Sequence, residues 1–152
     1  MRTVVQRVIR AEVRVDGAAV GKIERGLLLL VGVERGDTEA DADATAKKIA
    51  ALRCFPGRTP MDETVAQAGG GCLVVSQFTL LADLSRGNRP GFDRAEAPAR
   101  AEALYLRVAD ALRAADLPVA TGRFGATMSV DLVNDGPVTF VLDVRGGALA
   151  GT

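Results

Sequence analysis

Apolar positions along this chain recur either at alternate residues or in unbroken runs, and most of both patterns predict strands. Residues 3–9 and 11–15 read as extended, with Ala11, Val13 and Val15 on one face and Glu12 and Arg14 on the other. Asp16-Gly17 is a preferred two-residue hairpin loop and turns the chain into a further strand over residues 18–23. Residues 27–33 are a continuous apolar run, as expected of a strand buried on both faces, and residues 72–81 give a second strong strand signal. Shorter strands are expected over residues 53–55 and 119–121. Met128, Val130 and Leu132 alternate with Thr127, Ser129 and Asp131, and residues 138–144 are again mostly apolar. Between these last two segments, Asn134-Asp135-Gly136-Pro137 predicts a turn. Proline has no N–H to give a ladder, and glycine permits backbone angles that other residues resist, so Gly136-Pro137 presents backbone rather than side chain.

Helical spacing occurs twice. Thr38 is placed to cap a helix over residues 39–52, with Asp41 three positions on and Ala42, Thr45, Ala46 and Ile49 on its inner face. Pro98 suits the first turn of a helix reaching about residue 117, whose stripe of Ala101, Leu104, Tyr105, Val108 and Leu112 is core. Two helices among many hairpin-connected strands predict one α+β domain with a mostly antiparallel, barrel-like sheet. That domain is expected to span residues 1–145, with residues 146–152, small and featureless, as a disordered tail. Gly69-Gly70-Gly71 lacks the lysine and the following helix of a phosphate loop and is read as a turn.

Composition narrows the chemistry. The sequence has no histidine, which removes Ser-His-Asp and Cys-His nucleophile arrangements and His-ligated zinc. Neither a metal nor a cofactor is expected. Cys54 and Cys72 are expected to be buried small hydrophobes. A formal net charge of zero argues against a long nucleic-acid footprint, DNA included, and leaves contact with the end of an RNA. Arg2, Arg7, Arg10 and Arg14 leave no apolar signal core near the start, and no apolar run spans a bilayer, so a cytoplasmic protein without membrane contact is expected.

Two polar clusters carry candidate chemistry. Ser76, Gln77 and Thr79 close an apolar strand, where hydroxyls can act as nucleophiles or orient a substrate, although an isolated Ser or Thr more often bonds backbone or water. Activation would need a base, and Asp83 is the nearest carboxylate in sequence. Arg86 and Arg89, beside Gly87 and Phe92, can hold a phosphate and stack a base, or form an ordinary exposed loop.

Ser76-Gln77-Phe78-Thr79-Leu80, together with Asn134-Asp135-Gly136-Pro137-Val138-Thr139, resembles the paired signature of the D-aminoacyl-tRNA deacylases, also called D-tyrosyl-tRNA deacylases. Collinear similarity runs from Val5-Gln6-Arg7-Val8 through Gly36-Asp37-Thr38, Arg89-Pro90 and Thr121-Gly122-Arg123-Phe124-Gly125 to Leu142-Asp143. The resemblance implies a homodimer acting on the acceptor end of aminoacyl-tRNA. It also implies a cis Gly136-Pro137 bond, where the residues alone favour trans, since only about 5–6% of X-Pro bonds are cis. In such an enzyme Gly136 and Pro137 enter the partner's site, and their carbonyls admit a D-aminoacyl group or glycine, including glycine mischarged on tRNA-Ala, but clash with an L side chain. Asn134 belongs to the same motif, and Arg7 matches the family arginine that holds it. Ser76, Gln77, Phe78 and Thr79 would form the catalytic end, and Phe124, Gly125 and Met128 would line a pocket for the terminal adenosine. Family proposals for the attack are activation of water by the ribose 2′-hydroxyl or a nucleophilic Thr79. Residues 56–66, Asn88 and Gly91 depart from the family pattern. A related branch that edits L-alanine, with a trans bond, usually starts the first motif with proline where this chain has Ser76, and a scaffold that binds RNA ends without turnover is the alternative outside enzymes.

Overall fold

The computed structural model describes residues 1–151, and its frame is set by one long strand, β1 (Arg2–Val15), to which three others pair. The first half of β1 pairs antiparallel with β3 (Gly26–Gly32), and its second half with β2 (Ala18–Ile23). Asp16 and Gly17 turn β1 into β2, both with positive φ (51° and 79°), as a tight hairpin with this twist requires. The opposite edge of β1 pairs along its length with β6 (Ser129–Arg145).

Two crossovers then add parallel strands. Helix α1 (Glu39–Ala51) links β3 to β4 (Gly71–Ser76), and helix α2 (Pro98–Ala114) precedes β5 (Val119–Thr121), so β3, β4 and β5 run parallel. The α+β class and the two helices are as the sequence predicts. The sheet, however, is mixed, because parallel neighbours need the long crossovers that the helices supply. It is also curled. A Cβ on Gly21 of β2 would collide with the Thr121 carbonyl of β5, so the sheet closes far enough to bring these edges together.

Both faces of the central strands are buried. Leu27, Leu29 and Val31 of β3 pack with Ile49, Leu104, Tyr105 and Val108 of the helices, while Leu28 faces Val8, Val13, Leu73 and Val75 inside the curl. This is the physical origin of the unbroken apolar run at residues 27–33. Helix α1 begins where expected: the Thr38 N–H donates to the Asp41 carboxylate at 2.9 Å, and Ala42, Thr45, Ala46 and Ile49 are buried. Helix α2 stops at Ala114 rather than 117, because Asp116 takes a left-handed conformation (φ 63°) directly ahead of Leu117-Pro118.

Three sequence expectations are corrected. Residues 53–55 form only an isolated bridge from Phe55 to Glu63. The strand expected over residues 72–81 ends at Ser76, and Phe78–Leu81 is a 3-10 turn. Residues 134–139 are not a turn between two strands, since both flanks pair antiparallel with the same strand β1. From the pair Gln6 with Thr139 to the pair Val8 with Asn134, β1 advances two residues and β6 five, so three extra residues are extruded as a bulge. Past β6, Gly146 and Gly147 turn the chain into β7 (Ala148–Leu149), which pairs with Val144 and Arg145. Of the expected tail, Thr152 lies outside the described residues. Among the described residues no helix is long and apolar enough to cross a membrane.

Candidate active site

The carboxyl end of β4 opens onto a cavity of about 490 Å³ at the edge of the curled sheet. Ser76, Gln77 and Phe78 form one wall, Phe124, Gly125 and Met128 another, and Val33, Glu96, Pro98 and Ala101 a third. Six of the residues expected to touch substrate therefore meet in one cavity, although 46 positions or more separate the two walls in sequence. Pro98, read in the sequence only as a helix start, and Glu96 carry no local signal that assigns them to this cavity.

Local structure explains each placement. The Gln77 N–H donates to the Val31 carbonyl at 2.8 Å and ends the ladder, after which Leu80 N–H to Gln77 O (3.2 Å) and Ala82 N–H to Thr79 O (3.1 Å) close the 3-10 turn. The first N–H groups of such a turn have no internal partner. Those of Phe78 and Thr79 make no hydrogen bond among the described residues; Phe78 lines the cavity, whereas Thr79 does not. The Gln77 side-chain amide donates to the Thr79 hydroxyl and fixes both side chains. Opposite, Phe124 stacks on buried Tyr105 (centroids 5.8 Å, planes 26° apart), so helix α2 holds the aromatic wall. Burial pushes the Tyr105 phenol up, which keeps it a neutral packing group. Gly122 lies close under Met128, where a Cβ would stand 2.9 Å from its sulfur.

Gly136, Pro137, Arg7 and Asn134 form a second constellation, outside that cavity. The Gly136-Pro137 bond is cis, and both residues are exposed. Their bulge is fastened from beneath. Asn134 accepts from the Val138 N–H at 3.0 Å and donates to the Thr139 hydroxyl at 2.9 Å. Arg7, almost wholly buried, donates to the Asp135 carbonyl (3.1 Å) and the Cys54 carbonyl (2.8 Å), and its Nε lies 3.2 Å from the Asp135 carboxylate. Cys54 thus takes part through its backbone, a contact with no signature in the sequence. Both cysteines are buried; desolvation raises the Cys54 thiol and pushes Cys72 up to about 12, so neither is a thiolate nucleophile.

No carboxylate is hydrogen-bonded to Ser76 or Thr79 among the described residues, and Asp83 is engaged instead with the Ser85 N–H and hydroxyl at 2.9 and 2.6 Å. These bonds hold the Asp83 carboxyl below the usual range. The arrangement offers hydroxyls, an amide and free N–H donors beside an apolar, aromatic-walled cavity. Glu96, the one carboxylate in the cavity wall, is taken up by the Ala97 N–H (2.8 Å), the Gly36 N–H (3.4 Å) and Arg100, and bonds neither hydroxyl.

Known proteins match this chain across its length. Residues 4–143 match the family described as D-Tyr-tRNA(Tyr) deacylase. A D-aminoacyl-tRNA deacylase of Paracoccus denitrificans is 58% identical over 144 residues, covering 94% of this chain and 97% of that one. One from Anaeromyxobacter dehalogenans is also 58% identical, over 146 residues, covering 95% and 98%. A solved structure titled c-Myc DNA Unwinding Element Binding Protein superposes with a TM-score of 0.89 at 36% identity, covering 96% of this chain and all of that one. A second, titled as a probable eukaryotic D-amino acid tRNA deacylase, has a TM-score of 0.79 at 17% identity, covers 94% and 98%, and shares the fold.

Proposed function

This chain belongs to the D-Tyr-tRNA(Tyr) deacylase family and is a hydrolase, a D-aminoacyl-tRNA deacylase; from that premise we propose that it reads chirality with a backbone surface, Gly136-Pro137, contributed by a second copy of the chain. The observation that carries this reading is the separation of the two constellations. Gly136 and Pro137 are exposed and anchored by Arg7, yet they line no part of the cavity that holds Ser76, Gln77 and Phe78 in their own chain. A homodimer that docks one chain's bulge at the other's cavity completes the site. Carbonyl groups there face the α-carbon, leave room for hydrogen, and exclude an L side chain, so selection works by rejection. Glycine passes the same filter, which extends activity to glycyl-tRNA mischarged on tRNA-Ala.

Cleavage in this scheme needs no protein base. The aminoacyl ester is already activated, and the terminal ribose 2′-hydroxyl can assist the attacking water. Ser76 and Gln77 orient the aminoacyl end, while the free N–H groups of Phe78 and Thr79 face the developing oxyanion, where one preorganised donor is worth roughly 10²–10³ in rate. Phe124, Gly125 and Met128 hold the terminal adenosine. The absence of histidine agrees with this chemistry.

Incubation with D-Tyr-tRNA, Gly-tRNA and L-Ala-tRNA tests the reading. The D-tyrosyl and glycyl esters are expected to be lost and the L-alanyl ester retained. Hydrolysis of L-Ala-tRNA would assign the chain to the L-alanine-editing type, and binding without turnover would make it a scaffold.

A further inference from the structure

Phe78 has an aromatic neighbour that the proposed reaction does not use. Its ring meets that of Phe92 edge-to-face, with centroids 5.0 Å apart. Both rings remain open to solvent, Phe78 at 53% and Phe92 at 37% exposure. A nucleobase is a suitable cover for such an exposed aromatic pair, because every base has a face to stack.

The loop that delivers Phe92 is closed at its root. Asp83 and Gly91 exchange backbone hydrogen bonds at 2.7 and 2.9 Å, so Phe92 follows directly from a fixed bridge. Within that loop Arg86 and Arg89 make no ion pair among the described residues, unlike Arg94, which binds Glu34 at 2.9 Å. Arg86 and Arg89 line a small cleft of about 160 Å³ beside the bridge. Asp83 and Asp93 share it, so its charge suits a single phosphate rather than a run of them.

Resting on the proposed reading of the neighbouring cavity, we infer that the Phe78–Phe92 pair and the cleft of Arg86 and Arg89 receive the nucleotide immediately 5′ of the terminal adenosine. Phe78 lines the adenosine cavity and touches Phe92, so the two surfaces are continuous. A single strand leaving the cavity meets a stacking platform first and a pair of unpartnered cations next. The base stacks on Phe92 and its phosphate reaches the arginines. Such contacts are sequence-tolerant, which suits an enzyme that must accept the common end of many tRNAs.

The test compares three D-tyrosyl esters, of adenosine, of the trinucleotide CCA and of whole tRNA, for the unmodified protein, Phe92→Ala and the double variant Arg86→Gln/Arg89→Gln. Expected is a rise in KM of roughly tenfold for the trinucleotide and tRNA esters in both variants, with turnover of the adenosine ester unchanged. For the arginine variant, the slope of log KM against log salt on the trinucleotide ester should also fall by roughly 0.7, the value of one single-strand phosphate contact. Equal losses on all three esters would show that these residues support the cavity or a contact with a second copy, and would overturn the proposal. So would losses confined to whole tRNA, which would place the loop on the stem, or no loss at all. If the unmodified protein cleaves no ester, the reading beneath falls and this proposal with it.

Discussion

At the scale of single residues, the proposed chemistry divides between side chains that orient and backbone groups that stabilise charge or select. Thr79 is the sharpest case, because its hydroxyl stands in the first motif and has the look of a nucleophile. Among the described residues it accepts from the Gln77 amide and is hydrogen-bonded to no carboxylate, while its N–H makes no hydrogen bond. Thr79→Ala keeps that N–H and removes only the hydroxyl. Turnover of D-Tyr-tRNA by Thr79→Ala is expected to fall by about fivefold or less, the worth of one neutral hydrogen bond. A collapse to the uncatalysed rate, measured in single turnover, would restore the hydroxyl as nucleophile and reject the substrate-assisted route.

The element that matters most is the bulge in β6. A bulge extruded from the middle of a ladder loses its own pairing and must be held by other contacts, here Asn134 within the loop and Arg7 beneath it. Arg7→Ala leaves the buried Cys54 carbonyl and the Asp135 carbonyl without their charged donor. It is expected to cost at least about 2 kcal/mol in denaturant unfolding and to reduce deacylation of D-Tyr-tRNA in the fraction that remains folded. Unchanged stability and activity would show that the bulge needs no anchor from β1. This element also marks the limit of what the sequence discloses. Alternation over residues 128–132 and the apolar stretch after residue 137 announce both strand halves, and Gly136-Pro137 announces exposed backbone. Nothing local says that both halves pair with one partner strand, because register is a tertiary property. The same holds at Ser76, where apolar residues continue past the strand end and only the bond from Gln77 N–H to Val31 shows where pairing stops. Helix α1 was legible nearly to the residue, since its capping box and inner face are local signals.

On the scale of the whole molecule, the curled mixed sheet places one cavity at the carboxyl end of β4 and carries the Gly136-Pro137 bulge apart from it on β6. Six residues that the family resemblance proposed for the site line this cavity, whereas Glu96, Pro98 and Ala101 had no such signal, because they join it only through the packing at the start of α2. In the proposed dimer a second copy supplies what the cavity lacks. The scheme reduces to a claim about one stereocentre: a backbone surface admits hydrogen where an L residue places its side chain. Single-turnover hydrolysis of D-Tyr-tRNA and L-Tyr-tRNA, made on the same tRNA and followed side by side, measures that claim most directly. The account predicts rapid loss of the D ester with the L ester decaying at its rate in buffer; comparable enzymatic loss of both would contradict it.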